Sequence, residues 1–334
     1  MKITLSIILL FISINLFSQN GLENGNLFIL PKNKNAITLN KFEADKIIEI
    51  KKFSINKNSI FSTNQKNLVG ILNRSNKKIS IYNIETEKKL KLSIPFDIKP
   101  KSLLIDDNNI FIGGEMENEM LIQYNFHNQK WYSIEIPEEI KFPGKSIDDI
   151  VINDNYLIAI DNIVIPKYIL YYHINSDNKL IYSHQRSLKF NSSYESTHFA
   201  RLENELLGLY STTFNWGTFS EHITVYRGLD LKESFAISSD YTYKSKIVDI
   251  ILIEGNLYVA NSSKGLGKLK IEDNFFKAKD EYGWEESNPQ LDENLINYQQ
   301  YTNEEIIKLT KIPNTNTFIV TLKDKKGNYR NEIR

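Results

Sequence analysis

Short apolar runs closed by polar turns recur down the chain, and seven of them share one frame. They are Asn26-Leu27-Phe28-Ile29, Asn67-Leu68-Val69-Gly70, Asn109-Ile110-Phe111-Ile112, Tyr156-Leu157-Ile158-Ala159, Glu205-Leu206-Leu207-Gly208, Asn256-Leu257-Tyr258-Val259 and Thr317-Phe318-Ile319-Val320. Successive starts lie 41, 42, 47, 49, 51 and 61 residues apart. Short β-branched and aromatic runs bounded by Asn, Asp and Gly are strand signals. Repetition at this period points to small sheets arranged around an axis more readily than to a solenoid.

Each full unit reads as four strands. In the third, Ser102–Ile105 leads through the turn Asp106-Asp107-Asn108-Asn109 to Ile110–Ile112, then Met120–Phe126, then Lys130–Ile136. The third strand supplies a second landmark, a tyrosine before a polar turn: Ile81-Tyr82-Asn83-Ile84, Gln123-Tyr124-Asn125-Phe126, Tyr171-Tyr172-His173-Ile174 and Val225-Tyr226-Arg227. The best helical stretches, Glu43–Lys52 and Asn303–Lys311, are short and rich in Ile and Lys, and the second occupies the place of a first strand. The expectation is an all-β chain of four-stranded antiparallel units.

The sixth unit, Leu257-Tyr258-Val259-Ala260-Asn261-Ser262-Ser263-Lys264-Gly265-Leu266-Gly267-Lys268-Leu269, resembles the repeat of β-propeller proteins of the sensor and WD-repeat type. The resemblance implies a fold and no activity. Seven landmark strands predict seven blades. Six is the alternative, because Asn26 leaves little room for a first strand and Arg334 leaves room for about three strands in the last unit.

Of the 334 residues, 41% are hydrophobic and 25% charged, which describes ordinary globular material with a large core. Lys plus Arg equals Asp plus Glu at 41 each, so no net field draws in nucleic acid or anionic lipid. The start, Met1-Lys2 followed by an apolar run to Phe17, reads as a secretory signal peptide over residues 1–18, cut before Gln19. An uncleaved anchor is the alternative, but Asn15 interrupts a run already short of the span a bilayer needs. Residues 19–334 then form one exported propeller domain, periplasmic or extracellular. Absence of cysteine excludes disulfides, thiolate metal sites and a lipidated cysteine.

Two constellations stand out. Phe214, Trp216 and Phe219 lie in a long segment between the second and third strands of unit five. Tyr282, Trp284, Tyr298 and Tyr301 lie in an acid-rich insertion, about Asp280 to Glu304, between units six and seven. Meander parity places both segments on one face, where aromatic anchors with polar rims form recognition surfaces; the same rings could instead pack back on their own blades. Seven residues before their landmarks stand Ser102, Asp149, His198 and Asp249, a polar set facing the channel. Such groups could act as general acid and base, or simply bond the neighbouring blade and channel water.

No phosphate loop, HExxH, EF-hand loop or nucleophile elbow occurs, and the five histidines lack ligand spacing. No cofactor and no metal site is therefore expected. Turn acids such as Asp106-Asp107 read as backbone hydrogen-bonding residues, and the lysine clusters as edge protection. The leading expectation is a non-enzymatic binding module for a protein, peptide or saccharide, with no nucleic-acid partner and no membrane insertion. The alternatives are a propeller hydrolase or lyase acting on a carbohydrate or lactone through Asp149, His198 and Asp249, and a structural component of an envelope complex.

Overall fold

The computed structural model describes residues 26–116, 119–135, 146–153, 156–161, 167–188, 197–201, 206–215, 218–228, 233–241, 247–278 and 290–334. These residues build seven sheets in chain order, antiparallel except for one short parallel pairing at the outer edge of the fifth. Blade 1 holds β1 (Leu27–Asn33), β2 (Ala36–Glu43) and β3 (Lys46–Ser54). Blade 2 holds β4 (Ser59–Thr63), β5 (Leu68–Asn73), β6 (Lys78–Asn83) and β7 (Lys89–Ser93). Blade 3 holds β8 (Lys99–Ile105), β9 (Asn109–Glu115), β10 (Glu119–Asn125) and β11 (Lys130–Glu135). Blade 4 holds β12 (Ile147–Asn153), β13 (Tyr156–Asp161), β14 (Lys167–Ile174) and β15 (Leu180–Leu188). Blade 5 holds β16 (Thr197–Arg201), β17 (Leu206–Asn215), β18 (Thr218–Arg227) and β19 (Glu233–Tyr241). Blade 6 opens with β20 (Ile247–Ile253), β21 (Asn256–Asn261) and β22 (Gly265–Lys270). The chain then adds β23 (Lys277–Ala278) and β24 (Gln290–Leu291) to the outer edge of β19 before β25 (Asn297–Gln299) completes blade 6. Blade 7 holds β26 (Glu304–Lys311), β27 (Phe318–Asp324) and β28 (Tyr329–Ile333). Both stretches with helical character, Glu43–Lys52 and Asn303–Lys311, are largely strand.

Turn chemistry sets the registers. Ala44 and Asp45 both adopt positive φ (51° and 59°), the two-residue hairpin geometry that joins β2 to β3. Glu254 and Gly255 do the same between β20 and β21. Elsewhere an Asn or Asp at the strand end folds the turn onto its own carbonyl or carboxylate. Asp106 Oδ1 accepts the N–H groups of Asn108 and Asn109, and Asn175 Oδ1 those of Asp177 and Lys179. The four landmark tyrosines take one register position: Tyr82, Tyr124, Tyr172 and Tyr226 lie opposite Val69, Ile110, Leu157 and Leu207.

The core is divided into seven apolar clusters, one between each pair of neighbouring blades, which closes the ring. Period-2 alternation explains this division: in β1, Leu27 and Ile29 face blade 2 while Phe28 and Leu30 face blade 7. The seam between blades 7 and 1 is the thinnest, with Phe28, Leu30, Ile312 and Ile319 as its fully enclosed members.

The two terminal sheets are three-stranded in complementary ways. β1 packs through Leu27 and Ile29 against Val69 of β5, and through Phe28 and Leu30 against Ile319 of β27, so it stands at a second-strand position. Blade 1 thus presents its second, third and fourth strands, and blade 7 its first, second and third. Seven blades stand, although the described terminal strands do not combine in one sheet. Among the described residues, helical structure is confined to two 3-10 turns, Asp273–Phe275 and Glu293–Leu295, and no helix is long and apolar enough to cross a membrane.

Candidate functional site

The first strands β4, β8, β12, β16, β20 and β26 follow one another around the axis. Four of them carry a bulge one residue before an inward position. Register shifts in β8, β12, β20 and β26 place Ser102, Asp149, Asp249 and Lys308 opposite Gly113, Ile160, Ala260 and Thr321. β16 has no such shift, yet His198, opposite Tyr210, takes the equivalent position: it precedes Phe199 as Lys308 precedes Leu309. Counting seven residues back therefore finds Ser102, Asp149, His198 and Asp249 at one register position and misses Lys308.

Both aspartates join their blade to another. Asp149 accepts the N–H of Ile150 (2.9 Å) at Oδ1 and that of Phe199 in blade 5 (3.0 Å) at Oδ2. Asp249 repeats the pattern with Ile250 (3.0 Å) and Leu309 of blade 7 (3.2 Å). His198 Nδ1 lies 3.6 Å from Asp149 Oδ2, and the imidazole packs against Tyr210 with ring centroids 5.5 Å apart. The Ser102 hydroxyl is buried and has no hydrogen-bond partner among the described residues. Beside these positions, Lys101 Nζ in the β8 bulge reaches Asp148 Oδ1 (2.8 Å) and Ser146 Oγ (2.6 Å) of the next blade.

Lys308 lies among the same groups, and its Nζ stands 5.3 Å from the Phe61 ring centroid in blade 2, across the inner side of blade 1. Enclosure by protein pushes the Asp249 carboxyl up to about 6, with the Lys308 charge and the two N–H donors pulling the other way. Burial likewise lowers the Lys308 ammonium, and raises the Tyr210 phenol together with the charges of Asp249 and Asp149. Among the described residues no group of three or more His, Cys, Asp or Glu is placed to hold a metal ion.

A second arrangement lies at the end of the ring where first strands turn into second strands. A recess of about 520 Å³ spans blades 2, 3 and 4 there. Its apolar floor is Leu104 and Ile105 of β8, Val151 and Ile152 of β12, and Ile174 of β14. Its rim is polar: Asn64, Gln65 and Lys66 of one turn, Asp106, Asp107 and Asn108 of the next, and Asn178. Asp107 accepts from Lys66 Nζ (2.5 Å) and Asn64 Nδ2 (2.9 Å), forming a ridge between blades 2 and 3. Beyond the ridge a second recess of about 490 Å³ continues over Leu68, Ile81, Leu90 and Phe126.

Asn64 shapes this rim, because its Oδ1 also accepts the N–H groups of Lys66, Asn67 and Leu68. Asp106 does what its turn position predicts, and burial raises its carboxyl despite three donors. Asp107 instead reaches across to blade 2, which the turn reading missed. The only sequence signal was the repetition of an Asn/Asp-rich turn at the same place in units two and three.

The aromatic residues singled out in the sequence have different fates. Phe214 and Phe219 lie within strands β17 and β18, opposite one another in the register. Trp216, Tyr282 and Trp284 lie outside the described residues. Tyr298 packs over Gly267 of β22, where an added Cβ would collide with the ring, and Lys264 Nζ lies 5.4 Å from its centroid. Tyr301 packs on the apolar cluster between blades 6 and 7, and its hydroxyl accepts from Arg334 Nη2 (3.3 Å). The insertion itself leaves blade 6 after its third strand and runs to the edge of blade 5, ahead of β25. The parity that set it on one face with the unit-five hairpin therefore does not hold.

Seven radial sheets, inward polar strand positions and inter-blade cores define a seven-bladed β-propeller of the repeat-protein class. In fold it is similar to the crystal structure of the β-propeller domain of Cps50 (Swd1) from Myceliophteria thermophila, at 8% identity, TM-score 0.59 and coverage of 93% of each chain. A chain from an S. cerevisiae assembly of Dbp5 with Nup159 and Gle1 aligns at 8% identity over 92% of this chain and 86% of that one, with a TM-score of 0.47 that carries no weight. No family model and no curated protein matches the sequence.

Proposed function

We propose that this propeller is an exported binding module, and that it takes a segment of a protein partner in the recess over blades 2 to 4. The observation that carries this reading is the composition of that recess. Aliphatic side chains, half-buried apart from the buried Ile105, form its floor, and amides with one Lys66–Asp107 ion pair form its rim. A polypeptide offers the matching surface, with apolar side chains for the floor and backbone amides for the Asn, Gln and Asp groups. Export rests on the apolar start of the chain, residues 1–18.

The propeller-hydrolase reading has one observation in its favour, the Asp249 carboxyl pushed up to about 6 beside Lys308. Against it, each oxygen of Asp149 and Asp249 accepts a backbone N–H, which suits a clamp between blades better than a proton carrier. The test is partner capture by variants. Asp107→Ala with Asn64→Ala should abolish capture, while Trp216→Ala with Trp284→Ala leaves it intact; the reverse pattern would move the binding surface to the aromatic segments.

A further inference from the structure

Among the described residues the outermost strand of blade 7 is its third, β28. The register of β27 and β28 pairs Val320 with Glu332 and Leu322 with Arg330, and Phe318 and Arg334 exchange both backbone hydrogen bonds. Bonded pairs alternate in an antiparallel ladder, so Glu332 and Arg330 bond inward to β27. Tyr329, Asn331 and Ile333 then turn their N–H and C=O groups toward the fourth-strand position, which no described strand fills. Met120–Asn125 of the third strand β10 are buried, whereas β28 is largely exposed, including Ile333.

From this edge we infer that a second copy of the chain pairs with blade 7, β28 against β28, to make one six-stranded sheet across a two-fold axis at Asn331. Antiparallel pairing that uses the three outward residues allows only a few registers. Centring on Arg330 sets arginine against arginine, and centring on Glu332 sets glutamate against glutamate. Centring on Asn331 sets Arg330 against Glu332 of the other copy on both sides of the axis, and Tyr329 against Ile333. It also satisfies all six outward backbone groups at once.

The same charges already lie in the plane of the edge. Arg330 contacts Glu304 Oε1 (2.7 Å), Glu304 Oε2 (2.6 Å) and Glu332 Oε2 (3.1 Å), and Glu332 pairs with Arg334. A facing strand with the same sequence extends this alternation of sign. Charged edges usually deter pairing, and here they leave one register open. The outer strand β7 shows the contrast: it carries Lys89 and Lys91 with no acid to face them.

Sedimentation velocity of the purified protein tests this. Wild type should sediment as a dimer, and Arg330→Glu should weaken the dimer about tenfold or more by placing glutamate against glutamate. Adding Glu332→Arg should restore it, since the exchanged charges again face opposites. Both variants bring a carboxylate against Glu304, so that contact cancels between them, and the concentration dependence of sedimentation separates the contact between copies from the within-chain pairs of Glu332 with Arg330 and Arg334. Asn331→Pro removes an outward N–H without removing an inward one, and should leave a folded monomer by circular dichroism. Hydrogen exchange at Tyr329, Asn331 and Ile333 should slow as concentration rises. A monomeric wild type, a dimer indifferent to Arg330→Glu, failure of the double exchange to restore it, or protection that does not depend on concentration would overturn the inference.

Discussion

Replacing Asp249 by asparagine keeps the shape of the clamp between blades 6 and 7 and one of its two acceptor oxygens while removing the charge. In the native protein the carboxyl titrates at about 6, against 3.8 for an ordinary aspartate. Between those values the native state holds more protons than the unfolded chain, so this group lowers stability as pH rises from about 4 to about 6. The gap converts to a ceiling of about 3 kcal/mol, and solvent screening of a carboxylate that is only partly buried reduces that to about 1–2 kcal/mol. Asp97, Glu304 and Asp324, whose carboxyls are held low by Lys77, Arg330 and Asn328 respectively, work in the opposite sense. Only the difference between wild type and Asp249→Asn therefore isolates the effect. Urea unfolding at pH 4, 5, 6 and 7 should show the variant gaining about 1–2 kcal/mol on wild type across that range. Parallel curves would refute the placement of Asp249 in a protein-enclosed site beside Lys308.

Lys308→Met takes the cation from between Asp249 and Phe61, and should lower stability at pH 7 more than at pH 4.5 in the same unfolding assay. Ile319→Ala empties part of the smallest inter-blade cluster, for a loss of about 2–5 kcal/mol in urea; hydrogen exchange should then report opening in β1 and β27 ahead of other blades. Gly113→Ala drives a Cβ into Ser102 and Ile147 between blades 3 and 4, and should destabilise by about 1–3 kcal/mol, measured as a lowered thermal midpoint.

Fold and site differ in how far the sequence exposes them. Strand positions are legible because side chains alternate with period 2 and turns need Asn, Asp or Gly, so Asn109 to Ile112 or Asn256 to Val259 declare themselves locally. Tyr82, Tyr124, Tyr172 and Tyr226 then fix a common register. Bulges have no residue signature, and the shifts in β8, β12, β20 and β26 set which side chains face the axis. Lys308 was hidden for that reason, inside a stretch with helical character. The recess was hidden for another: Asn64, Asp107 and Asn178 belong to three blades, and nothing within any one turn shows that Asp107 reaches Asn64 and Lys66 rather than solvent.

The recess over blades 2 to 4 is tested most directly by site-specific photo-crosslinking in the producing cell, with the reactive group at Gln65 or Asn108 on its rim. A discrete protein adduct should form from both positions and disappear when Asn64 and Asp107 are changed to alanine. Adducts formed only from Trp216, with none from Gln65 or Asn108, would contradict the account.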